Sequence, residues 1–434
     1  MENKSKEKIK ILTNRESIFI SLIIIFYFFY GFYTNENSAG AGGYDGDFKL
    51  IWSNLELLRN GILANLDSPL YNDSRTPLSY ILHIYLNPLS ANQEFFRITA
   101  LFISLLIPIL LYFAIKESYP KLELNLIILL SLLVTLSPYF RTTAFWGLGE
   151  NYGLIFVILS YLTLQSFKNK FSKNTDFLNI LTIFFSCLFS SLIVYFDQKL
   201  IFIPILILFV ILTFKVKLSI KFSAIFFYTI FALPYLYLIN LWGAIIPPSA
   251  AEAREVGLSI HLYNPIFCMI ILSIYIFPFL FFGKKNVLLI LQENLNKKFF
   301  IYFSLMAIYF LIVINIVEFE SLGTQGKGAF YKLTLILFEN YQLQIIVTFI
   351  GFLISFLVVY LFSSSKNIFF ILFFLILSLF TYPFYQEYLD PITYILFFTF
   401  FYAGLNFNRS NIYFLILYLL LFSLGSKFYY SILL

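Results

Sequence analysis

The run Ile368-Phe369-Phe370-Ile371-Leu372-Phe373-Phe374-Leu375-Ile376-Leu377-Ser378-Leu379-Phe380 contains a single polar side chain, and a similar run covers residues 18–29. Strands of a membrane barrel alternate apolar and polar residues, so continuous apolar runs disfavour a barrel. A backbone in hydrocarbon must satisfy its own hydrogen bonds, and a helix does this within one segment. The two runs therefore predict membrane-spanning helices.

The composition extends this prediction to the whole chain. Of its 434 residues, 60% are hydrophobic and 12% are charged, whereas soluble domains carry about 25% charged residues. We expect an all-α polytopic membrane protein in which one domain covers residues 1–434, with about 13 transmembrane helices. The apolar runs place these helices near residues 17–33, 96–115, 125–140, 152–167, 178–195, 200–214, 222–241, 263–283, 299–317, 343–362, 367–383, 391–406 and 411–430.

The basic residues indicate an orientation. A lysine-rich stretch precedes the first apolar run, which favours a retained signal-anchor helix with a cytoplasmic N-terminus. Most Lys and Arg then fall in cytoplasmic loops and most acids fall outside, as the positive-inside rule requires. This orientation puts the C-terminus outside and makes residues 34–95 a long first extracytoplasmic loop. The abundance of Phe, Ile, Lys and Asn is typical of an AT-rich bacterial genome, which favours the plasma membrane.

The first outer loop holds two acids in a glycine-rich setting, Tyr44-Asp45-Gly46-Asp47. Asp45 and Asp47 would lie directly above the membrane, where they are candidates for proton transfer. Asp and Gly are also ordinary turn residues, so a solvated turn is the alternative. Apolar residues in 48–63 then recur at helical spacing, which predicts an amphipathic helix in the membrane interface.

Polar side chains recur in the other outer loops. The candidates for ligand binding are Arg75, Arg141, Glu150, Asn151, Asp197, Gln198, Lys199, Trp242, Arg254, Gln386, Glu387 and Tyr388. For Arg141 and Glu150 the alternative is pairing with each other or with lipid headgroups, and for the aromatic residues it is a place in the aromatic belt. For Asp197, Gln198 and Lys199 the alternative is a tight outer turn without a function. The chain has only two histidines and two cysteines, without a metal-ligand spacing, so a histidine-based zinc or haem site is not expected.

The order of these pieces resembles the GT-C superfamily of membrane glycosyltransferases, most closely the dolichyl-phosphate-glucose α-1,2-glucosyltransferase family and its bacterial relatives. The residues that carry the resemblance are Tyr44–Asp47, Ser74-Arg75-Thr76-Pro77-Leu78-Ser79-Tyr80, Glu150-Asn151-Tyr152-Gly153, Tyr195-Phe196-Asp197-Gln198 and Trp242-Gly243-Ala244-Ile245-Ile246-Pro247-Pro248. The chain departs from the glucosyltransferase pattern twice. Asp-Gly-Asp stands where an Asp-Glu pair is expected, and Asp197 stands where an arginine is expected.

The resemblance implies a reaction and roles for these residues. A sugar would move from a polyprenyl-phosphate-linked donor to a glycan, lipid or protein acceptor of the cell envelope, at the extracytoplasmic face. Asp45, or Asp47 as second choice, would take the proton of the acceptor hydroxyl, with inversion of the anomeric centre. Arg141, Lys199, Arg254 and Arg75 would bind the donor phosphate. The other candidates named above would bind substrate.

Other functions stay open at this stage. A transporter or lipid-linked glycan flippase would need charged residues within its spans or broken helices in matching halves, and a glycan polymerase would carry its polar loop late in the chain. No cofactor is certain, and a divalent cation at Asp45 and Asp47 is possible chemistry for two carboxylates. Membrane lipids are expected partners, and nucleic acid is not.

Overall fold

A computed structural model describes residues 13–39, 43–171, 175–253, 259–283, 287–317, 326–363, 367–401 and 404–433, and all regular structure in these ranges is helical. The all-α prediction is therefore confirmed for the described residues. The α-helices are α1 Asn14–Tyr33, α2 Lys49–Arg59, α3 Ile62–Asn65, α4 Leu78–Leu86, α5 Gln93–Ser104, α6 Leu106–Ser118, α7 Leu124–Leu132, α8 Pro138–Trp146, α9 Glu150–Lys170, α10 Asp176–Phe196, α11 Phe202–Thr213, α12 Leu218–Trp242, α13 Pro248–Ala253, α14 Asn264–Leu280, α15 Val287–Asn294, α16 Lys297–Ile316, α17 Gly328–Leu337, α18 Tyr341–Phe362, α19 Ile368–Leu379, α20 Ile392–Phe398 and α21 Arg409–Phe428.

Polar residues set where the long helices begin. Thr13 caps α1 in a reciprocal arrangement with Glu16, which satisfies backbone donors that have no partner inside the helix. Asn296, Asn340 and Asn408 accept backbone hydrogen bonds at the starts of α16, α18 and α21. Each of these four helices is thus preceded by a short polar side chain, of a type that favours a helix end over a helix interior.

Seven helical segments in the described residues are long and apolar enough to cross a membrane, which supports a multi-pass membrane protein. They are α1, the continuous pair α5 and α6, α10, α12, α16, α18, and α21 with its extension to Ser431. An eighth span is formed if Leu124–Leu136 and Pro138–Trp146 cross together despite the 74° bend between them.

The prediction of about 13 spans is not confirmed, because several apolar runs form helices that are too short. The 12 residues of α11 and of α19 extend about 18 Å at 1.5 Å per residue, less than the roughly 30 Å of a hydrocarbon core. Helix α20 has 7 residues, and all of them are buried. Helix α20 is apolar because it fills the interior, whereas α11 and α19 expose side chains such as Phe209 and Leu372 and are apolar without being long enough to span. Hydropathy does not distinguish these cases from a membrane span.

The helices present two opposite ends. At one end, Arg409 of α21 pairs with Glu16 of α1, and Lys217 pairs with Asp176 at the starts of α12 and α10. We call this the Glu16 end. At the other end, α1, α10 and α12 finish and α9 and α14 begin. We call it the Arg75 end, after the residue at the centre of the polar side chains described below.

The first loop folds over the Arg75 end. Helix α2 buries Ile51, Leu55 and Leu58 along one side, which confirms the predicted amphipathic helix. The loop is tied to distant segments by Trp242, whose indole donates to the backbone oxygen of Leu66 at 2.8 Å. A hydrogen bond of 2.5 Å from Ser249 to the backbone oxygen of Tyr71 adds a second tie.

Candidate functional site

Arg75 is held between two carboxylates at the Arg75 end. It lies in the turn before α4, and its Nη1 is 3.2 Å from Asp73 Oδ1. Its Nη2 forms an ion pair with Glu150, the first residue of α9. Tyr139 donates a hydrogen bond of 2.7 Å to the same oxygen of Glu150. The guanidinium is therefore fixed in position, and its charge is already balanced.

A small cavity opens beside Arg75. Its volume is about 70 Å³, enough for water molecules or part of a larger ligand. The lining residues come from the first loop and from α13: Asp47, Leu50, Ile51, Asn72, Asp73, Ser74, Arg75 and Ala250. Asp47 thus shares a cavity with Arg75, as a residue that acts on a bound molecule would need to.

Asp45, the first choice for the proton acceptor, does not line this cavity. Its side chain is 81% exposed and forms a surface ion pair of 2.6 Å with Lys49, one helical turn further on. Asp45 and Asp47 are two residues apart in a turn of π-helix at Tyr44–Phe48, so their side chains leave the backbone in different directions. The structure reverses the order of preference between the two aspartates.

Lys199 is a second cation near the cavity. The residue follows α10 in a short 3-10 turn, and its Nζ is 3.6 Å from Asp197 Oδ1. The ammonium also lies 4.1 Å from the centre of the Tyr388 ring, a cation–π distance. Burial raises the pKa of Asp197, although Lys199 opposes this shift.

Glu387 brings the loop between α19 and α20 to the same place. It lies in the 3-10 turn Gln386–Tyr388. The ring of its neighbour Tyr388 contacts the ammonium group of Lys199. The residue keeps some accessible surface, but protein surrounds its carboxyl group. This burial raises the pKa of Glu387 to about 7, against the influence of Lys199 and Arg75 and together with that of Glu150 and Asp47.

We use the name Arg75 cluster for the charged residues that meet here. They are Asp47, Asp73, Arg75, Glu150, Asp197, Lys199 and Glu387. The sequence had singled out all of them as candidates except Asp73. Asp73 and Tyr139 are the additions from the structure. The sequence could have indicated Asp73, because it lies two residues before Arg75 and this spacing allows a local ion pair. Nothing in the sequence indicated Tyr139.

Several sequence candidates lie elsewhere or serve the fold. Arg141 is fully buried away from the cluster, and donates to both carboxylate oxygens of Glu36 at 2.7 and 2.8 Å. A buried, paired guanidinium does not offer its charge to a donor phosphate, so its predicted phosphate role is corrected to a structural one. Glu36 also forms an ion pair with Lys427 at the end of α21, with 3.2 Å between Lys427 Nζ and Glu36 Oε2.

Three further predicted substrate-binding residues are used by the protein itself. The amide of Asn151 is fully buried and donates to Ser104 and to the backbone of Phe140. Gln386 accepts from the backbone N–H of Ala329 and donates to Tyr275. Trp242 is buried and carries the tie to Leu66 described above. These contacts position helix ends and loops, although the buried Oδ1 of Asn151 has no hydrogen-bond partner in the described ranges.

The remaining candidates are placed as follows. The Nε2 of Gln198 is buried and has no hydrogen-bond partner within the described ranges. Arg254 lies outside the described residues. Within the part of the chain that the structure describes, no group of three or more His, Cys, Asp or Glu side chains is arranged to hold a metal ion.

The chain has no significant match among protein-family models, curated proteins or solved structures.

Proposed function

We propose that the chain is a membrane glycosyltransferase that moves a sugar from a polyprenyl-phosphate donor to an acceptor at the Arg75 end. One observation carries the proposal: acids and bases from separate segments of the chain meet around Arg75 at one end of the helices, and Asp47 and Arg75 line a cavity there. Asp47 comes from the first loop, Glu150 from the start of α9, Lys199 from the turn after α10, and Glu387 from the loop before α20. A donor whose lipid tail stays in the membrane would present its sugar at this level.

Asp47 is the proposed general base. An acceptor hydroxyl that attacks the anomeric carbon must lose its proton, and a carboxylate within hydrogen-bond distance can accept it. Asp47 lines the cavity, whereas Asp45 faces solvent. Direct displacement with one such base would invert the anomeric centre.

Lys199 is the proposed main cation for the donor phosphate. The charge of Arg75 is balanced by Asp73 and Glu150, while Lys199 lies at a longer 3.6 Å from Asp197 and above the Tyr388 ring. A flexible ammonium of this kind can turn towards a phosphate. In a partly dehydrated site, its charge would stabilise the lipid phosphate as it leaves.

Glu150 is the proposed contact for the sugar. Its Oε1 accepts from Arg75 and Tyr139, but its buried Oε2 has no hydrogen-bond partner in the described ranges. A buried carboxylate oxygen without a partner carries a desolvation cost that a sugar hydroxyl would offset. Asp197 lies beside it and is the second candidate for such a contact.

The distribution of charge favours an orientation for this site. The lysine pairs at the starts of α12 and α16, and those at the end of α9, belong to the Glu16 end. The positive-inside rule then places the Glu16 end in the cytoplasm and the Arg75 end outside. With α1 and α21 both running from the Glu16 end to the Arg75 end, the N-terminus is cytoplasmic and the C-terminus extracytoplasmic in this proposal.

The test uses the two neighbouring aspartates as a matched pair. Membranes containing the wild-type chain would receive radiolabelled polyprenyl-phosphate glucose, mannose or galactose, and transfer to endogenous acceptors would be measured. Asp47→Asn should lower transfer by about 10²- to 10⁴-fold, the usual contribution of a general base, while Asp45→Asn should transfer at the wild-type rate. No transfer by the wild-type chain from any of these donors, or full activity of Asp47→Asn, would overturn the corresponding part of the proposal.

A further inference from the structure

Among the residues that the structure describes, carboxylates outnumber cations in the Arg75 cluster. Asp47, Asp73, Glu150, Asp197 and Glu387 stand against Arg75 and Lys199. A donor phosphate would add a further negative charge to a site that protein already shields from water. Like charges at such distances disfavour one another, so one carboxyl group is expected to hold a proton while the donor is bound.

Glu387 is the group best placed to hold that proton. Asp73 and Glu150 are paired with Arg75, and Asp197 is paired with Lys199. The carboxyl of Glu387, by contrast, forms no hydrogen bond or ion pair with another residue in the described ranges. Its pKa, raised by burial to about 7, agrees with this assignment.

The backbone around Glu387 is held by its neighbours. Gln386 is bonded to Ala329 and Tyr275, as described above. On the other side, Asp390 accepts a hydrogen bond of 3.1 Å from the backbone N–H of Tyr139. The turn is thus fixed on both sides of a carboxyl group that no other described residue binds, which is the arrangement expected of a reacting group.

We propose, on the basis of the glycosyltransferase function above, that Glu387 is the general acid that protonates the departing lipid phosphate. The acceptor oxygen forms a bond to the anomeric carbon as the bond from that carbon to the phosphate oxygen breaks. The electron pair of the broken bond stays on the phosphate oxygen, which takes the proton of Glu387. Asp47 receives the proton of the acceptor hydroxyl. The two carboxyl groups then exchange protons with solvent to restore the starting state.

The charged and titratable groups around Glu387 define its pH response. They are Asp47 from the first loop, Arg75 from the turn before α4, Tyr139 from α8, Glu150 from α9, Lys199 from the turn after α10, and Asp390 on its own loop. A general acid acts in its protonated form. Wild-type activity should therefore fall as the pH rises through about 7, the value to which burial moves the pKa of Glu387.

The experiment is a pH profile of donor turnover by the full-length protein in detergent-solubilised membranes, which supply the endogenous acceptors. Release of polyprenyl phosphate from polyprenyl-phosphate glucose, mannose or galactose would be followed between acid and alkaline pH for wild type, Glu387→Gln and Glu387→Asp. Glu387→Gln should lower turnover near neutral pH by about 10²- to 10⁴-fold and lose the alkaline fall. Glu387→Asp should retain a fall in the alkaline range.

The outcomes separate this inference from the proposed function. Turnover by wild type, together with an unchanged alkaline fall in Glu387→Gln, would refute the acid role and leave the glycosyltransferase proposal standing. No turnover by wild type would refute the proposed function and this inference with it. Glu94→Gln is the matched control, because Glu94 is 73% exposed and lies outside the cluster, so its profile should match that of wild type.

Discussion

Arg141 and Glu36 form a doubly hydrogen-bonded ion pair in which both side chains are completely buried, although 105 residues separate them in the chain. The pair joins α8 to the segment after α1. Burial opposes ionisation of Glu36, but the hydrogen bonds and charge of Arg141, with the charge of Lys427, hold the pKa of Glu36 below its usual value. The connection between the first loop and the helices therefore depends on this contact.

Removing either partner of this pair should strongly destabilise the protein. Arg141→Ala leaves a buried carboxylate that keeps its ion pair with Lys427, and the loss of one partner of a buried pair typically costs about 3–5 kcal/mol. Thermal unfolding in detergent can be followed with a thiol-reactive dye, because Cys187 and Cys268 are both buried and free. The double variant Glu36→Leu/Arg141→Met should recover much of the loss.

A surface pair supplies the control for that prediction. Glu94 lies 3.8 Å from Arg97 and is largely exposed, and exposed pairs contribute about 0–1 kcal/mol. Glu94→Gln should leave the unfolding temperature almost unchanged. Equal effects of Arg141→Ala and Glu94→Gln would show that the buried pair is not a structural connection.

Lys199→Ala should weaken donor binding with little effect on the fold. Hydrogen bonds to charged groups contribute about 1.5–3 kcal/mol, so the donor KM should rise by roughly 10- to 100-fold. Lys217→Ala is the matched control, since Lys217 pairs with Asp176 on the exposed surface of the Glu16 end. An unchanged donor KM in Lys199→Ala would transfer the phosphate-binding role to another cation.

Gly326→Ala should disturb the loop that carries Glu387. Gly326 has a φ of +73°, and an added Cβ would lie 2.6 Å from the backbone oxygen of Phe384. A side chain in this left-handed conformation costs about 1–2 kcal/mol, and a backbone atom is the neighbour that would have to move. We expect a lower unfolding temperature together with a lower transfer rate.

Gly425→Ala is the matched comparison for Gly326→Ala. Gly425 lies within α21, and no atom outside its own helix is within 4 Å of an added Cβ. Alanine is favoured over glycine in a helix interior by about 0.5–1 kcal/mol, so this variant should be as stable as wild type or more so. A normal transfer rate in Gly326→Ala would indicate that the loop position is not needed for activity.

Labelling of single cysteines can determine the orientation. Asp45 at the Arg75 end and Lys121 after α6 are both exposed, and the two native cysteines are buried, so background labelling should be low. In intact cells a membrane-impermeant maleimide should label Asp45→Cys. It should label Lys121→Cys only after the cells are permeabilised. The reverse pattern would place the Arg75 cluster in the cytoplasm.

The sequence identified candidate site residues where charged side chains lie between apolar runs. Arg75, Glu150, Lys199 and Glu387 were candidates because they lie in the outer loops between apolar runs, and the structure brings them together. Sequence position did not distinguish a ligand-binding charge from a structural one. Arg141 appeared equivalent to Arg75, but it pairs with Glu36 in the interior.

The sequence by itself determined that the chain is helical and crosses a membrane, because apolar length and composition are local properties that one segment carries alone. Tertiary structure decided which apolar runs form helices long enough to span a membrane. The short helices α11, α19 and α20 have the same apolar composition as the spans, so composition does not separate them. It also decided that Asp47, rather than Asp45, faces the cavity beside Arg75. Proximity between distant segments depends on how the helices pack together, and no single segment encodes that packing.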